Sequence, residues 1–301
     1  MNAVLVLLLL LTTRAIAVDI AACGSVVPAG DTGVLVADLD CTATTQRYCT
    51  AACAAQGLCG GFIDQPCTVN EDCTHGPCVV VGVALERGAR LDLAGFSIVD
   101  APGDDPSYGV MCNVNGACTV TGPGTVDAFS FGVHGERIRV FDLVVSNGLE
   151  GVFGQRVVGG NLTATGNEWY GINGGVVRGV GPLHAINNTG YGITAIRLSA
   201  REGVTAVGNG LDGVHTGFNV RPSRLVARNF VVQNNAGAGI VADGGLLLID
   251  STVTGNNGGG AGIDVASLRP PGLRGTVTCG KSSMLSDEGF FGPPWGVCTN
   301  D

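Results

Sequence analysis

The chain has 301 residues, of which 50 are glycine and only 14% are charged. Ordinary soluble domains carry roughly 25% charged residues, and a coiled coil or helical bundle needs far less glycine. The formal net charge is −9, and no basic cluster stands out along the sequence. A negative chain repels nucleic acid and anionic lipid, so we expect no nucleic-acid partner.

The N-terminus resembles a signal peptide. Residues Ala3–Leu11 form an apolar run, and Ala15-Ile16-Ala17 has the small-x-small pattern of a signal-peptidase site. We therefore predict a signal peptide over residues 1–17 and a secreted or cell-surface protein. An alternative is a lipobox at Ile20–Cys23, which would lipidate Cys23. No later apolar run approaches the length of a membrane span, so none is expected.

Twelve cysteines are present, an even number, and eight of them lie in the first quarter of the chain. An exported chain enters an oxidising compartment, where paired cysteines are expected. The alternative is a zinc site formed by Cys67, Cys73, His75 and Cys78, although these residues lack the CxxC spacing typical of such sites.

A repeat of about 20 residues organises the rest of the chain. Its marker is a glycine followed by Val or Ile, at Gly109, Gly132, Gly151, Gly171, Gly192, Gly213, Gly239 and Gly262. A second marker is an asparagine four residues earlier, or five in the last case: Asn147, Asn167, Asn188, Asn209, Asn235 and Asn257. Two short β-prone runs separate the markers, which predicts three short strands per repeat. Such repeats cannot bury their own apolar side chains, so about eight or nine of them must stack as coils.

Stacking predicts two ladders inside the protein. The apolar ladder contains Val133, Val152, Ile172, Ile193, Val214, Ile240 and Ile263. The asparagines form the second ladder in a turn, where they exchange amide hydrogen bonds and adopt the left-handed backbone that asparagine tolerates.

The chain resembles the right-handed parallel β-helix proteins of the pectin-lyase-like superfamily, in particular their small secreted bacterial members. Three local patterns carry the resemblance besides the repeat: Cys23-Gly24 through Cys41, Gly109-Val110-Met111-Cys112 through Thr125, and Cys279-Gly280 through Cys298. The resemblance implies an all-β fold, a single right-handed parallel β-helix, with the disulfides Cys23–Cys41, Cys112–Cys118 and Cys279–Cys298.

The resemblance also implies a domain division. It has a cysteine-rich N-terminal cap over residues 18–80, a β-helix over 81–278 and a C-terminal cap over 279–301. The N-terminal cap includes an insertion at about residues 42–80. The six remaining cysteines lie in it and would pair among themselves: Cys49, Cys53, Cys59, Cys67, Cys73 and Cys78. The C-terminal cap would use Phe290, Phe291, Pro293, Pro294 and Trp295 to cover the last apolar layer.

Strand alternation predicts that the residue after each ladder position faces outward. This outward column would contain His134, Phe153, Asn173, Thr194, His215, Val241 and Asp264. The string Gly210–His215 resembles part of the Asn-Thr-Asp segment of polygalacturonases, which makes Asp212 and His215 candidate catalytic residues. Asp264 is the third candidate, because it would lie two coils, roughly 10 Å, from His215. The alternative is that Asp212 is a turn residue and His215 a surface residue of the repeat.

Two further candidate sites remain. Phe153, Trp169, Tyr170 and Asn173 are the candidate ligand-binding residues. Asp100, Asp104 and Asp105 could bind Ca²⁺ through oxygen, although such strings more often form solvated turns, so we expect no obligatory cofactor.

Three functional hypotheses follow. The preferred one is a secreted monomer that binds polysaccharide or cell-surface glycan without catalysis. The second is a polysaccharide lyase, glycoside hydrolase or epimerase acting on acidic polysaccharide, and the third is a structural envelope protein.

Overall fold

The structure is a computed structural model that describes residues 17–43, 47–50, 63–67, 78–100, 106–112, 116–217, 224–257, 262–286 and 291–301. Its secondary structure over these residues is all β, and none of them forms a helix that could span a membrane. The predicted signal peptide lies outside the described residues, except for Ala17.

The first strands are β1 (Ala17–Ile20), β2 (Ser25–Val27), β3 (Thr32–Leu35), β4 (Leu39–Asp40), β5 (Arg47–Thr50), β6 (Ile63–Cys67), β7 (Cys78–Leu85), β8 (Arg90–Asp92) and β9 (Ser97–Val99). The central strands are β10 (Ser107–Cys112), β11 (Ala117–Asp127), β12 (Phe131–Ser146), β13 (Glu150–Thr165), β14 (Tyr170–Gly179), β15 (Leu183–Ile186), β16 (Tyr191–Ala200), β17 (Val204–Val207) and β18 (Val214–Thr216). The last strands are β19 (Arg224–Arg228), β20 (Phe230–Gln233), β21 (Ile240–Ala242), β22 (Gly245–Ile249), β23 (Thr252–Thr254), β24 (Val265–Ser267), β25 (Gly272–Arg274), β26 (Thr278–Cys279) and β27 (Ser282–Met284).

Parallel pairing arranges most of these strands in three faces. Face A runs through β2, β7, β10, β12, β13, β14, β16, β18, β21, β24 and β27. Face B runs through β1, β3, β8, β11, β12, β13, β14, β16, β19, β22 and β25. Face C runs through β4, β9, β11, β12, β13, β15, β17, β20, β23 and β26. The long strands β12 and β13 contribute to all three faces. Each coil therefore lies on the one before it, which is consistent with a parallel β-helix.

The stack has more coils than the eight or nine predicted. The strands β2 and β7 add coils to face A upstream of Gly109, the first repeat marker. Between these strands and Gly109 the interval is longer than the repeat period of about 20 residues, so the period alone does not indicate these coils.

In the seven Gly-Val/Ile pairs from Gly109 to Gly239, the glycine allows the coils to approach closely. A Cβ built on Gly192 would lie 2.4 Å from the carbonyl oxygen of Gly213, and one on Gly171 would lie 2.7 Å from that of Gly192. Backbone atoms cannot move aside as a flexible side chain can. The next residue of each pair, such as Ile193, is fully buried and packs on its equivalents in neighbouring coils. The repeat thus combines a close backbone contact with an apolar ladder.

The asparagine ladder is shorter than predicted and ends differently. It contains Asn167, Asn188, Asn209, Asn235 and Asn256. The side-chain amide of Asn188 donates to Oδ1 of Asn209 at 2.9 Å and to the carbonyl of Ala164 at 3.2 Å. Asn256, not Asn257, is the last asparagine, and it donates to Oδ1 of Asp264.

The left-handed backbone lies one residue before the ladder. Asn187 has φ 53° and Gly208 has φ 69°, whereas the ladder residues that follow them are not in this region. Asn147, predicted to be in the ladder, has φ 55° and donates to Asp127 instead. One residue therefore adopts the left-handed backbone and the next residue makes the ladder hydrogen bonds, whereas the sequence predicted that a single asparagine would do both.

The last predicted repeat is displaced by two residues. Ile240 pairs with Val265, so Val265 and not Ile263 continues the apolar ladder, and Val241 pairs with Ala266. Asp264 is consequently not in the outward column, which corrects its predicted placement. The reason is that the connection from Asn256 to the next ladder residue, Val265, is longer than the equivalent connection from Asn235 to Ile240.

The disulfides Cys23–Cys41, Cys112–Cys118 and Cys279–Cys298 are present, the pairings that the resemblance implies. The region of the predicted insertion contains the antiparallel pairs β5–β6 and β5–β7. Cys78 is disulfide-bonded, and the other cysteines of the insertion lie outside the residues whose side chains are described.

The C-terminal segment contacts the end of the stack through part of the predicted set of residues, namely Trp295 and the disulfide Cys279–Cys298. The ring nitrogen of Trp295 donates to the carbonyl of Ser267, and Cys298 packs against the core. Phe291, Pro293 and Pro294 are exposed, and Phe290 lies outside the described residues. The disulfide and Trp295, rather than the phenylalanine and proline side chains, contact the end of the stack.

Candidate functional site

Aromatic and polar side chains form a continuous strip along face A. We call it the aromatic stripe, and it comprises Tyr108, Phe131, His134, Glu150, Phe153, Tyr170, Asn173, Tyr191, Thr194, Asp212 and His215. Tyr108, Phe131, Glu150, Tyr170 and Tyr191 are paired in register, and so are His134, Phe153, Asn173, Thr194 and His215. Each column crosses five coils, and the two columns lie side by side on the four coils that contain β12, β13, β14 and β16.

The first column occupies the position immediately before the glycine of each Gly-Val/Ile pair. Strict alternation would place Phe131 on the same side as the buried Val133, two residues away. Instead, the ring centroid of Phe131 lies 5.5 Å from that of His134. The sequence signal was available: the residue before the glycine is aromatic or acidic in Tyr108, Phe131, Glu150, Tyr170, Tyr191 and Asp212.

Ring stacking between coils orders the stripe. Tyr108 stacks on Phe131 with centroids 5.0 Å apart, and Tyr170 stacks on Tyr191 at 5.6 Å. In the other column, His134 stacks on Phe153 at 5.1 Å. The rings of Tyr108, Phe131, Tyr170 and Tyr191 are half-buried, so part of each ring lies at the surface of face A.

Glu150 interrupts the first column between two aromatic residues. It is only 8% exposed, and its Oε2 atom is buried without a hydrogen-bond partner. Burial raises the pKa of Glu150 to about 7, while hydrogen bonding by Asn173 acts in the opposite direction. Burial, followed by the negative charge of Glu150, also raises the pKa of Tyr108. A carboxyl group that is part protonated near neutral pH can donate or accept a proton there.

His134 is a second buried polar group without a full set of partners. It is 7% exposed, and its Nδ1 atom has no hydrogen-bond partner. Burial lowers its pKa to about 4, so the imidazole is neutral at physiological pH. Buried polar atoms are nearly always satisfied in native proteins, so two orphaned atoms in one cluster are unusual.

Asp212 and His215 form a pair further along the stripe. Oδ2 of Asp212 lies 2.8 Å from Nδ1 of His215, and both side chains are 16% exposed. Oδ1 of Asp212 accepts a hydrogen bond from the backbone of Ala238 at 2.8 Å, so the aspartate also links its turn to the next coil. The edge of Tyr191 lies against the His215 ring. Burial, then the charge of Asp212, raises the pKa of Tyr191.

Asn173 and Thr194 connect the cluster of Glu150 and His134 with the pair of Asp212 and His215. The Thr194 hydroxyl donates to Oδ1 of Asn173 at 2.8 Å, and they are paired on adjacent coils. This bond leaves the Asn173 amide nitrogen available towards Glu150. The predicted residues Phe153, Tyr170, Asn173, Asp212 and His215 therefore all lie on one stripe.

Other predicted site residues lie elsewhere or have other contacts. Asp264 is 2% exposed: Oδ1 accepts from Asn256, and Oδ2 accepts from the backbone of Gly280 and Lys281. These bonds make it the end of the asparagine ladder, not a partner of His215. Trp169 precedes Tyr170 and is 52% exposed at the margin of the stripe.

The described residues contain no group of three side chains arranged to bind a metal ion. Asp100 is described, but Asp104 and Asp105 of the candidate calcium site lie outside the described part of the chain. Cys78 is disulfide-bonded, which removes one of the four ligands of the alternative zinc site. The bond between Cys23 and Cys41 likewise uses the sulfur that a lipid anchor would need.

No protein family, no curated protein and no solved structure matches this chain.

Proposed function

We propose that this protein is a secreted, single right-handed parallel β-helix of the pectin-lyase-like type, and that it binds polysaccharide or cell-surface glycan along the aromatic stripe. Secretion is supported by the signal-peptide pattern and by the three disulfides, which favour an oxidising extracellular environment. The repeat period and the parallel stacking support the fold.

One observation carries the binding proposal: two buried polar atoms without partners, Oε2 of Glu150 and Nδ1 of His134, lie in one cluster of aromatic rings. Leaving such an atom unpaired costs roughly 1–3 kcal/mol, so a fold retains it only where something else compensates. Both atoms are buried, so a ligand hydroxyl group can reach them only when a side chain of the stripe moves aside; it can then donate to one atom and accept from the other.

The shape of the stripe supports an extended ligand. Successive coils are about 4.8 Å apart, so the distance from Phe131 to Asp212 across four coil steps is roughly 19 Å. Along this length the stripe alternates ring edges with hydroxyl, carboxyl, amide and imidazole groups. A sugar chain has the matching combination of C–H surfaces and hydroxyl groups in every unit, whereas a purely apolar ligand would leave the polar groups unpaired.

Binding is tested on a polysaccharide array with the mature chain and with the double variant Tyr170→Ala/Tyr191→Ala. We expect a defined set of polysaccharides to bind the parent protein and to be lost in the variant. Phe141→Ala provides a matched control. This half-buried aromatic residue pairs with Thr121 of the neighbouring coil and lies away from the stripe. Equal binding by all three proteins, or binding to no glycan, would contradict the proposal.

A specific observation also favours catalysis as a second candidate function. Glu150, with its pKa raised to about 7, is suited to act as a general acid or base on an acidic polysaccharide. However, Glu150 and Asp212 are three coil steps apart, roughly 14 Å, which exceeds the carboxylate separation of glycosidases. Incubation with polygalacturonate and alginate, followed by detection of new reducing ends and unsaturated products, separates the two candidates. Turnover that is lost in Glu150→Gln, or in Asp212→Ala and His215→Ala, would establish an enzyme.

A further inference from the structure

Face B carries a concentration of arginine that is not visible in the linear sequence. Arg137 pairs with Arg156, Arg139 lies two residues further on, and Arg197 pairs with Arg224. The paired arginines lie on different coils and are about 20 or more positions apart in the sequence, so this concentration forms only when the coils stack. The two columns that hold them contain no carboxylate in the described strands.

Five arginines surround a depression of about 570 Å³ on this face. We call it the arginine groove, and its charged residues are Arg178, Arg197, Arg201, Arg224 and Arg228. Val176, Ser199 and Val226 lie between them, so its surface is partly apolar. Arg178 pairs with Ser199, and Arg197 pairs with Arg224 on the next coil. Arg201 and Arg228 directly follow the paired Ala200 and Ala227.

These arginines have no partners among the described residues. All five are exposed, and none of their guanidinium groups makes a hydrogen bond or an ion pair there. Glu202 is the acidic residue nearest in sequence, but it is exposed and makes no ion pair with Arg201. The groove is therefore strongly positive although the whole chain has a net charge of −9.

The arrangement is unfavourable without a ligand. Like charges directly opposite each other on neighbouring strands destabilise a sheet, and Arg197 and Arg224 are in this relation. The chain could have placed a glutamate at either position and gained a cross-strand ion pair. An anion between the two guanidinium groups would convert the repulsion into two attractive contacts.

The spacing favours a particular type of anion. Neighbouring coils place Arg197 and Arg224 about 4.8 Å apart at the backbone, so both guanidinium groups can reach one tetrahedral oxyanion. A sulfate or phosphate monoester has three free oxygens and can accept from two guanidinium groups at once. A planar carboxylate has two oxygens, which a single guanidinium fork already satisfies.

A second pair of arginines repeats this geometry. Arg201 and Arg228 lie four residues beyond Arg197 and Arg224, or roughly 13 Å along the strand direction at about 3.3 Å per residue. We infer that the arginine groove binds a polymer carrying sulfate or phosphate monoester groups, with one monoester group between each pair of arginines. This inference does not depend on glycan binding by the aromatic stripe, because the two sites lie on different faces.

The test compares the parent protein with the double variant Arg197→Gln/Arg224→Gln in binding assays. The probes are a sulfated glycan (heparin), a phosphate-bearing glycan (phosphomannan), polygalacturonate as the carboxylate polymer, and duplex DNA. We expect the sulfated or phosphorylated glycan to bind best, and the variant to bind it about tenfold or more weakly because two charge-assisted contacts are lost. Binding should also weaken as NaCl rises from about 50 to about 300 mM, since salt screens exposed charges.

The control variant Arg87→Gln/Arg269→Gln changes the net charge equally and should bind like the parent. Both residues are exposed and lie in turns outside the two arginine columns. Tyr170→Ala/Tyr191→Ala should retain polyanion binding, which separates this inference from the proposed function. Comparing heparin with phosphomannan distinguishes the two ester sources.

Several results would overturn the inference. These are equal loss of binding in the control variant, unchanged binding in Arg197→Gln/Arg224→Gln, or a preference for polygalacturonate or DNA over both esters. The free variant should melt no lower than the parent protein, because it removes a like-charge contact. A clearly lower melting temperature would show that these arginines support the fold, and would also overturn the inference.

Discussion

Replacing Glu150 with glutamine tests the burial of the carboxyl group in the aromatic stripe. In the folded protein burial raises the pKa of Glu150 to about 7 from its ordinary value of 4.5. Below pH 4.5 the carboxyl is protonated in both folded and unfolded chains, so it contributes no pH dependence. Between pH 4.5 and about pH 7 the folded chain retains a proton that the unfolded chain has lost, so the free energy of unfolding falls as the pH rises. Above about pH 7 the folded state carries the full cost of a buried charge.

The size of this cost follows from the two pKa values. Their difference corresponds to about 3 kcal/mol at about 1.4 kcal/mol per pH unit. Glutamine keeps the shape of the side chain but cannot ionise. Relative to the parent, Glu150→Gln should therefore gain about 3 kcal/mol of stability between pH 4.5 and pH 8. With an unfolding entropy of about 2.1 cal/mol/K per residue over about 280 residues, this is a rise of roughly 5 °C in melting temperature.

Calorimetric melting of both proteins at several pH values measures the effect. The difference in melting temperature between variant and parent removes the contributions of other titrating groups. His134 is one of these, because its lowered pKa makes the folded state less stable as the pH falls from 6.5 to about 4. Glu168→Gln, at an exposed position in the adjacent turn, is the matched control. A difference between Glu150→Gln and parent that does not change with pH would refute the argument that Glu150 is desolvated.

Three further predictions concern the stack. Asn209→Ala should destabilise the protein by about 3 kcal/mol, because it breaks two side-chain links of a buried ladder and leaves their partners unsatisfied; urea unfolding measures this. Gly192→Ala should cost about 2 kcal/mol or more from its contact with a backbone carbonyl, whereas Gly245→Ala, which meets nothing within 4 Å, should be nearly neutral in the same assay. Replacing Cys279 and Cys298 together with serine should remove roughly 3 kcal/mol in the chain-entropy model, and an unchanged melting temperature would contradict it.

Much of the stacked architecture could be predicted from the sequence because it depends on local repetition. A coil that buries one apolar residue and brings its backbone against the next coil needs Gly-Val or Gly-Ile at a constant interval, as at Gly171 and Gly192. A buried asparagine satisfies part of its amide through an equivalent residue one coil away, so the same interval appears in Asn167, Asn188 and Asn209. These constraints act between neighbouring coils and therefore leave a periodic pattern.

The site residues could be predicted only in part. Phe153, Asn173 and His215 were placed correctly in one column, because strand alternation relates each of them to a buried neighbour. Asp264 was misplaced by two residues, since its position depends on the length of a connection that interrupts the period.

The burial of Glu150 and the gathering of the arginines were decided by the tertiary structure alone. Glu150 is exceptional because side chains from neighbouring coils exclude water from it, and no local pattern records that. Arg178, Arg197 and Arg224 become one positive surface because three coils lie in register, although the residues are separated by about 20 or more positions. Desolvation and electrostatic potential depend on every group within several ångströms, and only folding determines which groups those are.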